Sequence, residues 1–133
     1  MEKYARDQAS LRLNRLAFEL RRAAKSPDAD SIHDLRVSIR RFTQCLKTFS
    51  QFFPSKEAKK VRRRLRTILK LAAEVRDRDI ALELLAKAPG NPASQISARL
   101  ARDRKQAEEE LAGALARWRR REFSLKCRNR LQL

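Results

Sequence analysis

The chain has 133 residues, and its 33 lysines and arginines outnumber 16 aspartates and glutamates to give a formal net charge of +17. That length closes one hydrophobic core without disulfides, and 42% hydrophobic residues in periodic positions exclude a disordered polymer. Few glycines, prolines and aromatics argue against a sheet; a charged start with no long apolar run predicts neither a signal peptide nor a transmembrane span, so a cytoplasmic protein without a membrane partner is expected.

The first helix is predicted from about Glu2 to Lys25, with Leu13, Leu16 and Leu20 on its apolar side, and Ser26-Pro27-Asp28-Ala29-Asp30 ends it. Asp30 or Ser31 is the expected N-cap of a second helix lasting to Phe52-Phe53-Pro54. Its seam, Ile32, Leu35, Ile39, Phe42, Leu46, Phe49 and Phe53, alternates spacings of three and four. Ser55 caps a third helix, and Glu57 sits near its positive end. Val61, Leu65, Ile68, Leu69, Ala72 and Val75 carry that helix to the charged cluster Arg76-Asp77-Arg78-Asp79, where a bend is allowed. Leu82 and Leu85 extend it to about Lys87.

Pro89-Gly90-Asn91-Pro92 is the strongest turn signal. A fourth helix follows from about Ala93 to at least Arg121, using Ile96, Leu100, Ala107, Leu111, Leu115 and Trp118; the tail Phe123–Leu133 is open between extending it, fraying and packing on a partner. Four amphipathic segments with short connections predict an all-α domain, an antiparallel four-helix bundle over residues 1–133 with residues 122–133 of unassigned order.

The charge is unevenly spread. Residues 55–87 and 88–133 each carry +6, whereas residues 1–30 carry +2 and residues 31–54 carry +3. Lys56, Lys59, Lys60, Arg62, Arg63, Arg64, Arg66 and Lys70 face a single acid, Glu57, between positions 56 and 70. Helical spacing puts Lys59, Arg63, Arg66 and Lys70 on one face with Arg62 beside it, and His33, Arg36 and Arg40 on one face of the second helix. A helix needing only solubility intersperses its signs, so these faces point to an anion site. Arginine forks match phosphate oxygens, lysine adds an adjustable point charge, and histidine donates to phosphate and gains charge as pH falls. Asp77 and Asp79 are candidates for orienting nearby arginines.

Cys45 and Cys127 lack CxxC spacing and a histidine pair, so no structural zinc, other metal or cofactor is expected. No P-loop is present, and the consecutive Glu108-Glu109-Glu110 carboxylates diverge on a helix, which argues against an enzyme.

His33-Asp34-Leu35-Arg36-Val37-Ser38-Ile39-Arg40-Arg41 resembles the signature of the CHAD family, the conserved histidine α-helical domains. Arg76-Asp77-Arg78-Asp79-Ile80 resembles that family's second motif, in the same order along the chain. The resemblance implies an all-helical fold that binds inorganic polyphosphate, without catalysis, through basic side chains lining a groove. By position, His33, Arg36, Arg40 and Arg41 correspond to the first motif and Arg76 to the second. The expected polyphosphate-binding set is His33, Arg36, Arg40, Arg41, Lys47, Lys59, Arg62, Arg63, Arg66, Lys70 and Arg76.

Two departures stand out. Ala73 replaces the glycine usual three positions before the second motif's arginine, and the chain has material for one of the family's two four-helix halves. A homodimer that rebuilds the two-bundle arrangement is therefore expected, with association to polyphosphate granules. The second reading is a nucleic-acid-binding protein, which the charge supports equally, although zinc-finger spacing and an RRM aromatic motif are missing.

Overall fold

The computed structural model describes residues 1–87, 94–120 and 122–133. Among them all regular structure is helical: α1 (Glu2–Lys25), α2 (Ala29–Thr48), a 3-10 turn (Ser50–Phe52), α3 (Ser55–Lys87), α4 (Ser94–Arg120) and α5 (Phe123–Leu131). The predicted turn at Pro89–Pro92, together with Ala93 and Arg121, lies outside the described residues. No helix among the described residues is long and apolar enough to cross a membrane.

The start of α2 is a correction. Asp28, not Asp30 or Ser31, is the N-cap: its Oδ1 accepts from the Ser31 backbone N–H at 2.8 Å, and the helix begins earlier than either expected cap allows, at Ala29. This hydrogen bond holds the Asp28 carboxyl below its ordinary range, while the Ser31 hydroxyl donates back to the Ser26 carbonyl at 2.6 Å. The other end differs too. α2 stops at Thr48, and the 3-10 turn carries Phe53 into the core without continuing the α-helix.

α1 packs most closely on α2 and α3 on α4, α2 lies against α3, and α1 meets α4. The buried seams are those the periodicity marks: Leu13 and Leu16 on α1; Ile32, Leu35, Ile39, Phe42 and Leu46 on α2; Val61, Leu65, Ile68, Ala72 and Val75 on α3. On α4 the seam holds at Ala107, Leu111 and Leu115 but fails at Ile96, which is 53% exposed. The last buried residue of α3 is Val75 and the first described buried residue of α4 is Ala107. α1 and α2, of 24 and 20 residues, bury only part of α3 and α4, of 33 and 27, so Ile80, Leu84 and Ile96 lie exposed.

The tail forms a helix of its own. Phe123, Cys127 and Leu131 recur every fourth residue and are buried, with α5 against α3, α1 and α4. Glu122 adopts left-handed backbone (φ 50°) where the chain reverses, and Trp118 and Phe123 pack with ring centroids 4.1 Å apart across that corner. Arg128 donates to Ser10 Oγ at 2.8 Å and to Asn14 Oδ1, which ties α5 to α1. Both cysteines are free and buried, and burial pushes the Cys127 thiol up to about 12.

Two polar clusters fix the helices in place. Glu19, fully buried on α1, takes an ion contact from Arg15 Nη2 at 2.9 Å without hydrogen-bond alignment and a hydrogen bond from Arg22 Nη1 at 3.3 Å. Arg22 Nη1 also donates to Asp34 Oδ2 on α2 at 2.5 Å. Arg104 on α4 donates to Asp79 Oδ1 at 2.6 Å, to Glu108, and to the Pro27 carbonyl at 3.3 Å, and so clasps α3 and α4 to the α1–α2 turn.

Candidate anion site

The second-motif aspartates divide between two roles. Asp79 is consumed by the Arg104 clasp from α4 rather than by a neighbouring arginine of its own helix, and Asp77 is exposed with no ion pair among the described residues. Acids elsewhere are similarly engaged: Glu57 with Lys60 and Arg130, Glu108 with Arg104, and Glu19 and Asp34 with Arg15 and Arg22. None of the candidate cations from His33 to Arg76 takes part in an ion pair among the described residues. No carboxylate of the described residues sits at ion-pair distance from any of them.

A cleft of about 360 Å³ runs between α2 and α3, lined by Ile39, Arg40, Thr43, Gln44 and Lys47 from α2 and by Arg62, Arg66 and Leu69 from α3. The same turn-by-turn spacing that buries Ile39, Phe42 and Leu46 places Arg40, Thr43 and Lys47 beside them, because residues three and four apart share a flank. On α3, Arg62, Arg66 and Leu69 stand in the same relation to Val61, Leu65 and Ile68. Four cations from two helices thus converge on one cleft, with a threonine hydroxyl and a glutamine amide between them. Thr43 and Gln44 were not marked from sequence, although their spacing from Arg40 puts them on the same flank.

Arg36 precedes Arg40 by one turn and is half-buried, and its Nε is shielded from solvent with no hydrogen-bond partner. His33 is exposed one turn earlier still. Lys59, Arg63 and Lys70 are exposed on α3 and Arg76 is half-buried there, and none of them lines the cleft. Arg41 lies elsewhere: it lines the furrow between α1 and α2, on the other flank of α2. The arrangement can hold an extended anion by charge-assisted hydrogen bonds at several points along two helices.

The family model for the CHAD domain matches residues 7–133, essentially the whole chain, and the protein belongs to the CHAD family. The domain is associated in general with polyphosphate binding. No curated protein and no solved structure matches the chain.

Proposed function

We propose that the chain is a non-enzymatic module that binds inorganic polyphosphate along the α2/α3 cleft. Arg40, Lys47, Arg62 and Arg66 form its walls, Arg36 and His33 continue it along α2, and Lys59, Arg63, Lys70 and Arg76 supply outlying charge. The observation that carries this reading is the convergence of Arg40, Lys47, Arg62 and Arg66 on one cleft with no carboxylate paired to any of them among the described residues. In this reading the four long helices run as an antiparallel bundle, so that the α2 and α3 rows face each other along their length, and the protein works in the cytoplasm at polyphosphate granules.

Competition separates polyphosphate from nucleic acid. Polyphosphate is expected to displace fluorescent duplex DNA at far lower phosphate concentration than unlabelled DNA does, and the reverse order favours the nucleic-acid reading. Affinity is also expected to fall steeply with salt: contacts from the four wall cations and Arg36 on a flexible polyanion correspond to a log–log slope of roughly −3.5, by analogy with single-stranded nucleic acid. A slope near zero removes the electrostatic basis of the proposal.

The same reading includes a second chain. Ile80, Leu84 and Ile96 form an exposed apolar end where α3 and α4 outrun their partners, and residues 79–98 carry only Asp79, Glu83 and Lys87 as charges. That end is the surface on which two strongly basic copies meet with least repulsion. Sedimentation is expected to show a dimer that Leu84→Lys dissociates; monomers throughout, with and without polyphosphate, exclude it.

A further inference from the structure

The furrow on the opposite flank of α2 has the same chemistry in a separate place. Two adjoining hollows run along the α1/α2 seam, of about 320 and 370 Å³, and both are lined by Arg12 of α1 and Arg41 of α2. Neither arginine is in an ion pair among the described residues. The furrow's two carboxylates, Glu19 and Asp34, lie in the first hollow only, where Arg15 and Arg22 engage them. Arg12 and Arg41 border both hollows without an ion-pair partner among the described residues, and the second hollow has no carboxylate in its lining.

The second hollow is equipped for an anion. Gln8, Gln44 and Thr48 line it and add neutral donors, while Tyr4 and Phe49 form an edge-to-face pair at 5.8 Å that walls it. Leu11 and Val37 continue the wall into the first hollow. Cys45 at the floor does not supply the missing charge, because burial raises its thiol pKa despite the nearby Arg12.

Successive residues on a helix diverge by about 100°. Arg40 therefore faces α3 and Arg41 faces α1, one arginine to each side of α2. Gln44 borders both the α2/α3 cleft and the furrow, so it marks the crossing between them.

We propose that the α1/α2 furrow is a second anion site, in which Arg12 and Arg41 take a stretch of phosphate chain independently of the α2/α3 cleft. Only the ligand class is taken from the function proposed above; the site stands on its own residues. Short chains occupy the two sites separately, whereas a long chain crosses at Gln44 and engages both.

Calorimetric titration with inorganic tripolyphosphate tests this. The wild-type chain is expected to bind at two sites, Arg40→Ala/Arg66→Ala to keep the furrow site, and Arg12→Gln/Arg41→Gln to keep only the cleft. With long-chain polyphosphate the Arg12/Arg41 variant loses about tenfold in affinity, as expected for partial loss of a multipoint contact. Unchanged stoichiometry in a folded Arg12/Arg41 variant overturns the proposal. Loss of all binding in the Arg12/Arg41 variant, with none in the Arg40/Arg66 variant, leaves the furrow standing and overturns the cleft instead. Should the furrow variant fail to fold, phenylglyoxal modification of the wild-type chain decides: tripolyphosphate protects Arg12 and Arg41 if they bind it, and equal modification rates with and without it overturn the site.

Discussion

Replacing Arg40 and Arg66 together with alanine is expected to weaken long-chain polyphosphate binding by about 100-fold at low salt. A hydrogen bond to a charged group contributes roughly 1.5–3 kcal/mol, so two lost contacts amount to about 3–6 kcal/mol. A polymer can shift its register onto remaining cations, which favours the low end, and about 3 kcal/mol corresponds to roughly two decades. The control is Lys59→Ala/Arg63→Ala, which removes the same charge from exposed positions outside the cleft. If geometry governs, that pair loses less than about tenfold, since charges that do not line the cleft reach a polymer seated in it only through a screened field. Equal losses in the two double variants show that net charge alone binds the polymer and overturn the cleft. Arg40→Lys/Arg66→Lys falls between, because lysine keeps the charge and loses the bidentate fork. Stability moves the other way: the alanine pair removes like charges facing one another without acids, so its Tm is expected to stay level or rise.

The cleft was legible because its residues sit at fixed offsets from an apolar seam. Ile39, Phe42 and Leu46 declare which side of α2 is inside, and Arg40 and Lys47 then follow by helical arithmetic. What escaped depends on relations between helices rather than within one. Arg41 entered the same site through its place in the family's first motif, yet a residue next to Arg40 on a helix turns to a different neighbour, here α1. Ile96 belongs to an apolar pattern, but nothing in that pattern reveals that α1 and α2 end before reaching it. The cap of α2 was ambiguous for a local reason: Asp28, Asp30 and Ser31 are all competent caps within four positions. The winner is the one whose carboxylate reaches an N–H three residues on, with Ser31 engaged to Ser26. The tail stayed open between extending α4, fraying and packing on a partner, because the left-handed residue at Glu122 that folds it back onto α1 and α3 has no glycine to announce it.

Phe42→Ala is expected to have the largest effect on stability of any single change, and it also tests whether the polymer recognises the folded chain. Phe42 is the largest fully buried side chain among the described residues, on the inner face of α2 beside the flank that carries the cleft residues Arg40 and Thr43. Truncation removes a ring and leaves a cavity that the surrounding helices close only in part, at about 3–5 kcal/mol. That is a large share of the roughly 5–15 kcal/mol that holds a domain folded, and it lowers Tm by about 10–15 °C. A ligand specific to the native state returns about 2.7 kcal/mol at a hundredfold excess over its Kd. The unfolded chain, with its 33 basic residues, also attracts a polyanion, so the return is smaller than that ideal. Polyphosphate is therefore expected to recover part of the lost Tm in Phe42→Ala, and much less when Arg40→Ala and Arg66→Ala are added. Equal recovery in both backgrounds means that the polymer acts by relieving general charge repulsion, and a fall in Tm means that it prefers the unfolded chain. Either result removes the α2/α3 cleft as the seat of binding.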